Sequence, residues 1–205
     1  MPSITSSLAL VPVYVGVQHL LGAHRPRHRA IELLDLGHDD VMIDIGCGPA
    51  YYFDRLPTGT TYFGFDTSSR YIAWSTARFG DRGSFTSAVF DEDAAASIPR
   101  PTAAALFGLL HHLPDDEADQ LLRLIGRSLG AGGRAVSVDT CFFDGQGRVD
   151  AWLSARDRGE FVRRTERFEE MASSVFGSVE TELLAATPRM PTSHWIMRMS
   201  DPVAG

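Results

Sequence analysis

The sequence has no lysine; all 19 of its basic residues are arginine. A Schiff base on a lysine amine is thereby excluded, as is a phosphate loop ending in Gly-Lys-Ser/Thr. Pyridoxal-phosphate chemistry and P-loop ATP hydrolysis drop out. Cysteine is scarce. Cys47 and Cys141 alone make no disulfide framework, and the chain reads as cytoplasmic. Positive charge is outweighed, and a formal net charge of −7 argues against a nucleic-acid surface. Long apolar runs are missing as well. "LALVPVYVGV", residues 8–17, is too short to cross a bilayer and has no basic residue before it. Neither a membrane span nor a secretory signal is expected. The seven histidines show no zinc spacing, so no metal is expected either.

What is present is an ordinary globular composition, 44% hydrophobic and 22% charged over 205 residues, enough for one sizeable domain. Apolar strand-like runs alternate with helical ones. Val41 to Ile45, Thr61 to Phe65, Ser84 to Phe90, Ala103 to Leu110 and Arg134 to Val138 read as strands. After Ser68, a helix N-cap by type, Tyr71, Ile72, Ser75 and Phe79 recur at helical spacing. From Asp115, the residues Ala118, Leu121, Leu122, Ile125 and Leu129 form one apolar stripe, with three acids in its first turn. Val179 to Leu184 and His194 to Met199 can add an antiparallel edge pair. The alternation predicts an α/β fold, a parallel sheet with helices on both faces.

In such sheets ligands bind beyond the carboxyl ends of the strands. "VMIDIGCGPAYYF", residues 41–53, ends the first strong strand with an acid and then two glycines two apart. Gly46 and Gly48 clear side chains from a place where a ligand meets the backbone. Asp66 ends the next strand, 22 positions after Asp44. An acid there accepts hydrogen bonds from ribose hydroxyls. A dinucleotide loop would carry a third glycine where Tyr51 stands, so a cofactor without pyrophosphate is expected. Asp44 would repel a phosphate and attract an ammonium. S-adenosylmethionine (SAM) has the ammonium and the ribose, and no phosphate.

"DIGCGPA", then "GFDTS", then "LLHHLPDDEADQLLRLIGRSLGAGGRAVSVD" strongly resemble class I SAM-dependent methyltransferases over about residues 41–139. The resemblance implies a Rossmann-like, doubly wound, mainly parallel seven-stranded sheet with helices on both faces. It implies one domain: N-terminal cap helices over 1–40, a SAM-binding core over 41–140, a substrate-side insertion over 141–165, and a C-terminal helix and strand pair over 166–205. It implies a SAM site made by Asp44, Gly46, Cys47, Gly48, Asp66, Thr67, Asp91 and Leu109. Register against Phe85 puts Val89 at the usual place of an adenine-binding acid, so either Asp91 from a shifted position or a backbone group is expected to serve there, with a solvated loop acid as the rival reading of Asp91. Cys47 is a packing residue of the loop, not a nucleophile.

Methyl transfer from a sulfonium is an in-line displacement that needs proximity above all. His111, just past the fourth strand, is the candidate base, with a packing role as its rival. The acceptor is expected to be a small molecule with an attacking O, N or C atom. Its contacts are expected from Tyr14 in the N-terminal segment, from His111, and from Arg158 in the insertion that also holds Trp152, Arg156 and Asp157. Partners on nucleic acid or membrane are not expected, and the oligomeric state is left open. The rival classes are a non-catalytic SAM-binding protein, a methyltransferase of a peptide or protein, and an NAD-dependent oxidoreductase.

Overall fold

The computed structural model describes residues 24–157 and 159–203. Helix α1 (His24–Leu34) leads into strand β1 (Val41–Ile45) and, after a one-turn 3-10 helix, β2 (Thr61–Phe65). Then come α2 (Ser69–Phe79), β3 (Ser84–Thr86), α3 (Glu92–Ala96), β4 (Ala103–Phe107) and α4 (Asp115–Ser128). Strand β5 (Arg134–Phe142) is followed by α5 (Arg148–Ser154), the two-residue β6 (Arg163–Arg164) and α6 (Thr165–Ser173). The long strands β7 (Phe176–Leu184) and β8 (His194–Pro202) close the chain.

The sheet runs β3-β2-β1-β4-β5-β8-β7, with β6 as an extra partner of β5. The pairs from β3 to β5 are parallel, while β8 lies antiparallel to β5 and to β7. This is the expected Rossmann-like sheet of seven strands, plus one short eighth. The order reverses between β1 and β4, so the crevice at that switch point is where a ligand belongs.

Strand alternation divides the core into two layers. Ile43, Ile45, Ala104 and Leu106 face α4 and α6. Met42, Ala103, Ala105 and Phe107 face α1 and α2. Ser68 caps α2 as expected, its hydroxyl accepting from the Tyr71 amide at 3.4 Å. The third strand is shorter than its apolar pattern promised. The amide of Ala88 bonds back to the Thr86 carbonyl at 3.2 Å, turning the chain, and Phe90 packs edge-on against Phe65. Burial of Phe90 thus comes from a loop, not a strand.

Arg134 fastens the near end of the sheet. Its guanidinium donates to the Leu34 and Asp35 carbonyls and to Asp40, joining the end of α1 to the start of β5. Burial raises the Asp40 pKa, but Arg134 and the Gly37 amide outweigh it and hold it at about 2.

Candidate active site

A cleft of about 1340 Å³ opens at the carboxyl ends of β1, β2, β4 and β5. The loop after β1 forms its floor. The amides of Gly46 and Cys47 both donate to the Phe65 carbonyl, at 2.8 and 3.0 Å, which pins the loop to the end of β2. Gly46 and Gly48 sit at φ of 71° and 53°, where a side chain is strained. At Gly46 a Cβ would also lie 3.2 Å from Leu109 Cδ1. Leu109, the expected cofactor residue after β4, therefore packs on the loop as well as lining the cleft.

Asp66 closes the other side of the loop. One carboxylate oxygen accepts from the Gly48 amide at 2.8 Å and the other from the Ser68 amide at 2.7 Å. Each oxygen keeps a second acceptor site, and the residue lies on the cleft wall. Thr67 lines the same wall. Cys47 does too, but its thiol is buried, and burial with the nearby Asp44 and Asp66 charges pushes its pKa far above the ordinary range. It packs within the loop.

Asp91 is exposed at the rim and caps α3 by accepting from the Ala94 amide at 2.9 Å.

Asp44 sits behind the loop. It points with Met42 toward the α1 and α2 layer, is fully buried, and does not line the cleft. Its Oδ2 accepts from the hydroxyls of Tyr52 and Tyr62, both at 2.6 Å. Its Oδ1 is buried with no partner among the described residues. Burial raises the Asp44 pKa to about 6 against the lowering pull of the two tyrosines. Asp44 thus supports the loop from behind.

His111 and His112 form a one-turn 3-10 helix with Leu110 at the end of β4, and both reach the cleft. His111 is nearly buried. Its Nδ1 is 2.8 Å from Asp139 Oδ1, and its Nε2 is 3.2 Å from Asp157 Oδ1. Burial lowers its pKa, but the bonds and charges of Asp139 and Asp157 outweigh that and raise it to about 9. His112 is the opposite case: burial and the His111 charge lower its pKa. Burial also lowers His194, on the facing wall, to about 4, so it is neutral at pH 7. Tyr14 and Arg158 lie outside the described residues.

Sequence reasoning missed His194 and Arg27 as parts of this wall, and Asp139 as the buried partner behind His111. Arg27 reaches in from α1 and lies over the Tyr51 ring at 5.7 Å. Asp139 had a signal, since it ends the fifth apolar run as Asp66 ends the second.

Residues 42–133 match the family described as "Methyltransferase domain". Over those residues the chain is similar to methyltransferase domains. A curated relative, an uncharacterized methyltransferase from Geobacillus thermodenitrificans (strain NG80-2), is 27% identical over 120 residues, 58% of this chain and 55% of that one. The chain thus spans about half the length of that relative. Among solved structures, the N-methyltransferase NodS from Bradyrhizobium japonicum WM9, in complex with S-adenosyl-L-homocysteine, superposes with a TM-score of 0.68 at 16% identity, covering 93% of this chain and 98% of NodS. Human N-acetylserotonin methyltransferase, in complex with SAM, gives a TM-score of 0.64 at 16% identity, covering 90% of this chain and 55% of that enzyme. At 16% identity, the likeness to these two structures is one of fold.

Proposed function

We propose that this domain binds SAM in the cleft and transfers its methyl group to a small-molecule acceptor. The observation that carries the reading is the Gly46–Gly48 loop, its two glycines in a left-handed conformation and its Gly48 amide tied to Asp66 across the ends of β1 and β2. Its glycines leave backbone open to the methionine end of the cofactor. Asp66 has acceptor sites left for the ribose hydroxyls, and Asp91, Thr67 and Leu109 border the adenine side. SAM- and S-adenosylhomocysteine-bound neighbours of the same fold support the choice of cofactor.

A drug-sized ligand occupies roughly 300–1,000 Å³ of pocket. The cleft volume of about 1340 Å³ leaves space for a second, small reactant beside SAM. His112, Arg156, Thr192 and His194 line the cleft and are the residues we assign to that space. Its walls can align an acceptor for in-line attack on the methyl carbon, and alignment supplies most of what such a displacement needs. The C–S bond breaks as the new bond to the acceptor forms, and the electron pair stays on sulfur. His111, with both ring nitrogens directed at carboxylates, is a positioning residue and not the group that takes the acceptor proton.

The test is a screen of small hydroxyl-, amine- and carbon-acid acceptors with methyl-labelled SAM. Label transferred to one class of acceptor, and lost in Asp66→Ala, is the expected result. Cofactor binding with no transfer to any acceptor would favour a SAM-binding protein without catalysis.

A further inference from the structure

The acceptor end of the cleft contains a group of side chains with no part in holding SAM. One ring nitrogen of His111, one of His112 and a carboxylate oxygen of Asp157 all lie within 4.8 Å of one another. All three residues line the cleft. Three protein ligands of the types N, N and O, with further positions open, are the donor set of a catalytic zinc site.

The surroundings fit that use. The Nδ1 of His111 is 2.8 Å from Asp139 Oδ1, which also accepts the His111 backbone amide at 3.1 Å. Asp139 is buried within β5, so it fixes the ring with Nε2 turned toward Asp157. A carboxylate behind one imidazole nitrogen is how proteins orient the other toward a metal. Around an ion with bonds of roughly 2.0–2.2 Å, tetrahedral ligand atoms stand about 3.4 Å apart. The His111 Nε2 to Asp157 Oδ1 separation is 3.2 Å, already that spacing. His112 is exposed, so a rotation of its ring closes the third side at little cost. Imidazole with carboxylate suits zinc-like divalent ions and offers no thiolate to a softer one.

We propose that His111, His112 and Asp157 bind a divalent transition metal ion of the zinc type, with Asp139 orienting His111 from behind. The open positions face the acceptor space and take an oxygen ligand. An acceptor hydroxyl bound there loses its proton to solvent more easily and attacks as the alkoxide or phenolate. The O–C bond then forms as the C–S bond breaks. This use of the ion rests on the methyl-transfer reading; the binding of the ion does not.

The test is a titration of the untagged, chelator-stripped full chain with cobalt(II), followed by its visible d–d absorption. The expected result is saturation at one equivalent with the intense bands of four- or five-fold coordination, and their loss when zinc is added. His112→Ala and Asp157→Asn each weaken cobalt binding at least tenfold. Asp139→Asn weakens it by about 10–100-fold, as for other residues behind a metal ligand. Both ligand residues reach solvent, and unchanged circular dichroism confirms the fold of the variants. Absent bands, or equal binding in wild type and both variants, would overturn the proposal. SAM calorimetry on the same samples separates the two readings. Cobalt bound without SAM would sink the methyltransferase reading and leave the metal site standing; SAM bound without cobalt would do the reverse.

Discussion

The hydroxyl of Tyr62 donates to Asp44 Oδ2 at 2.6 Å, and neither residue is open to solvent. Tyr52 donates to the same oxygen at the same distance. Burial still dominates, so the folded Asp44 has a pKa of about 6 against an ordinary 3.8. A carboxyl with a raised folded pKa favours folding fully below its unfolded value and loses that contribution as pH rises through the folded one. Wild-type stability is therefore expected to fall between pH 4 and pH 6 by an amount on the order of 3 kcal/mol from this group. Asp44→Asn keeps an oxygen for both tyrosines and turns its amide toward the unpartnered side. The difference in unfolding free energy between the two proteins, measured by urea titration across that range, is expected to carry the slope. A pH-independent difference would contradict it.

Gly46 and Gly48 share a left-handed backbone but differ in their surroundings. A Cβ at Gly48 meets nothing within 4 Å, whereas one at Gly46 meets Leu109 at 3.2 Å. Gly48→Ala is expected to cost about 1–2 kcal/mol, the strain of a left-handed residue. Gly46→Ala is expected to cost more, because Leu109 must also move, and to weaken SAM binding further. Urea denaturation and SAM calorimetry on both variants check the order.

Arg163 ties the His111 turn to the chain above it. Its guanidinium donates to the carbonyls of Leu110 at 2.7 Å and Leu113 at 2.6 Å, and to Asp115 at 2.7 Å. A lysine cannot supply that planar fork. Arg163→Lys is expected to lose about 2 kcal/mol of stability, since buried carbonyls are left without donors. It is also expected to raise the acceptor KM while SAM affinity stays within about twofold. Steady-state kinetics with each reactant varied in turn give the comparison.

The glycine-loop side of the cleft was legible in the sequence because it is local. The loop at 46–48 and the acid at 66 lie on strand ends that the apolar runs mark, and the sheet follows from the alternation of those runs. The acceptor side was not. His111 and Asp139 are 28 positions apart and meet only when β4 and β5 pair. Asp157 lay in a stretch singled out for its arginines, where charge pattern gave no reason to prefer one residue. His194 faces the cleft because β8 runs antiparallel beside β5, where Thr140 and His194 pair. Asp44 is a different case: the strand alternation puts it with Met42, opposite Ile43 and Ile45, but its bonds to Tyr52 and Tyr62 join separate elements and leave no mark in the local pattern.

The most direct test of the central claim is calorimetric titration of SAM, S-adenosylhomocysteine and NADH into wild type and Asp66→Ala. Hydrogen bonds to a charged group contribute roughly 1.5–3 kcal/mol, so the variant is expected to lose about 10–100-fold in affinity for both adenosyl ligands. Wild type is expected to bind both and to ignore NADH. Binding of NADH, or silence toward all three ligands, would contradict the account and leave the glycine loop as a tight turn between β1 and the rest of the sheet.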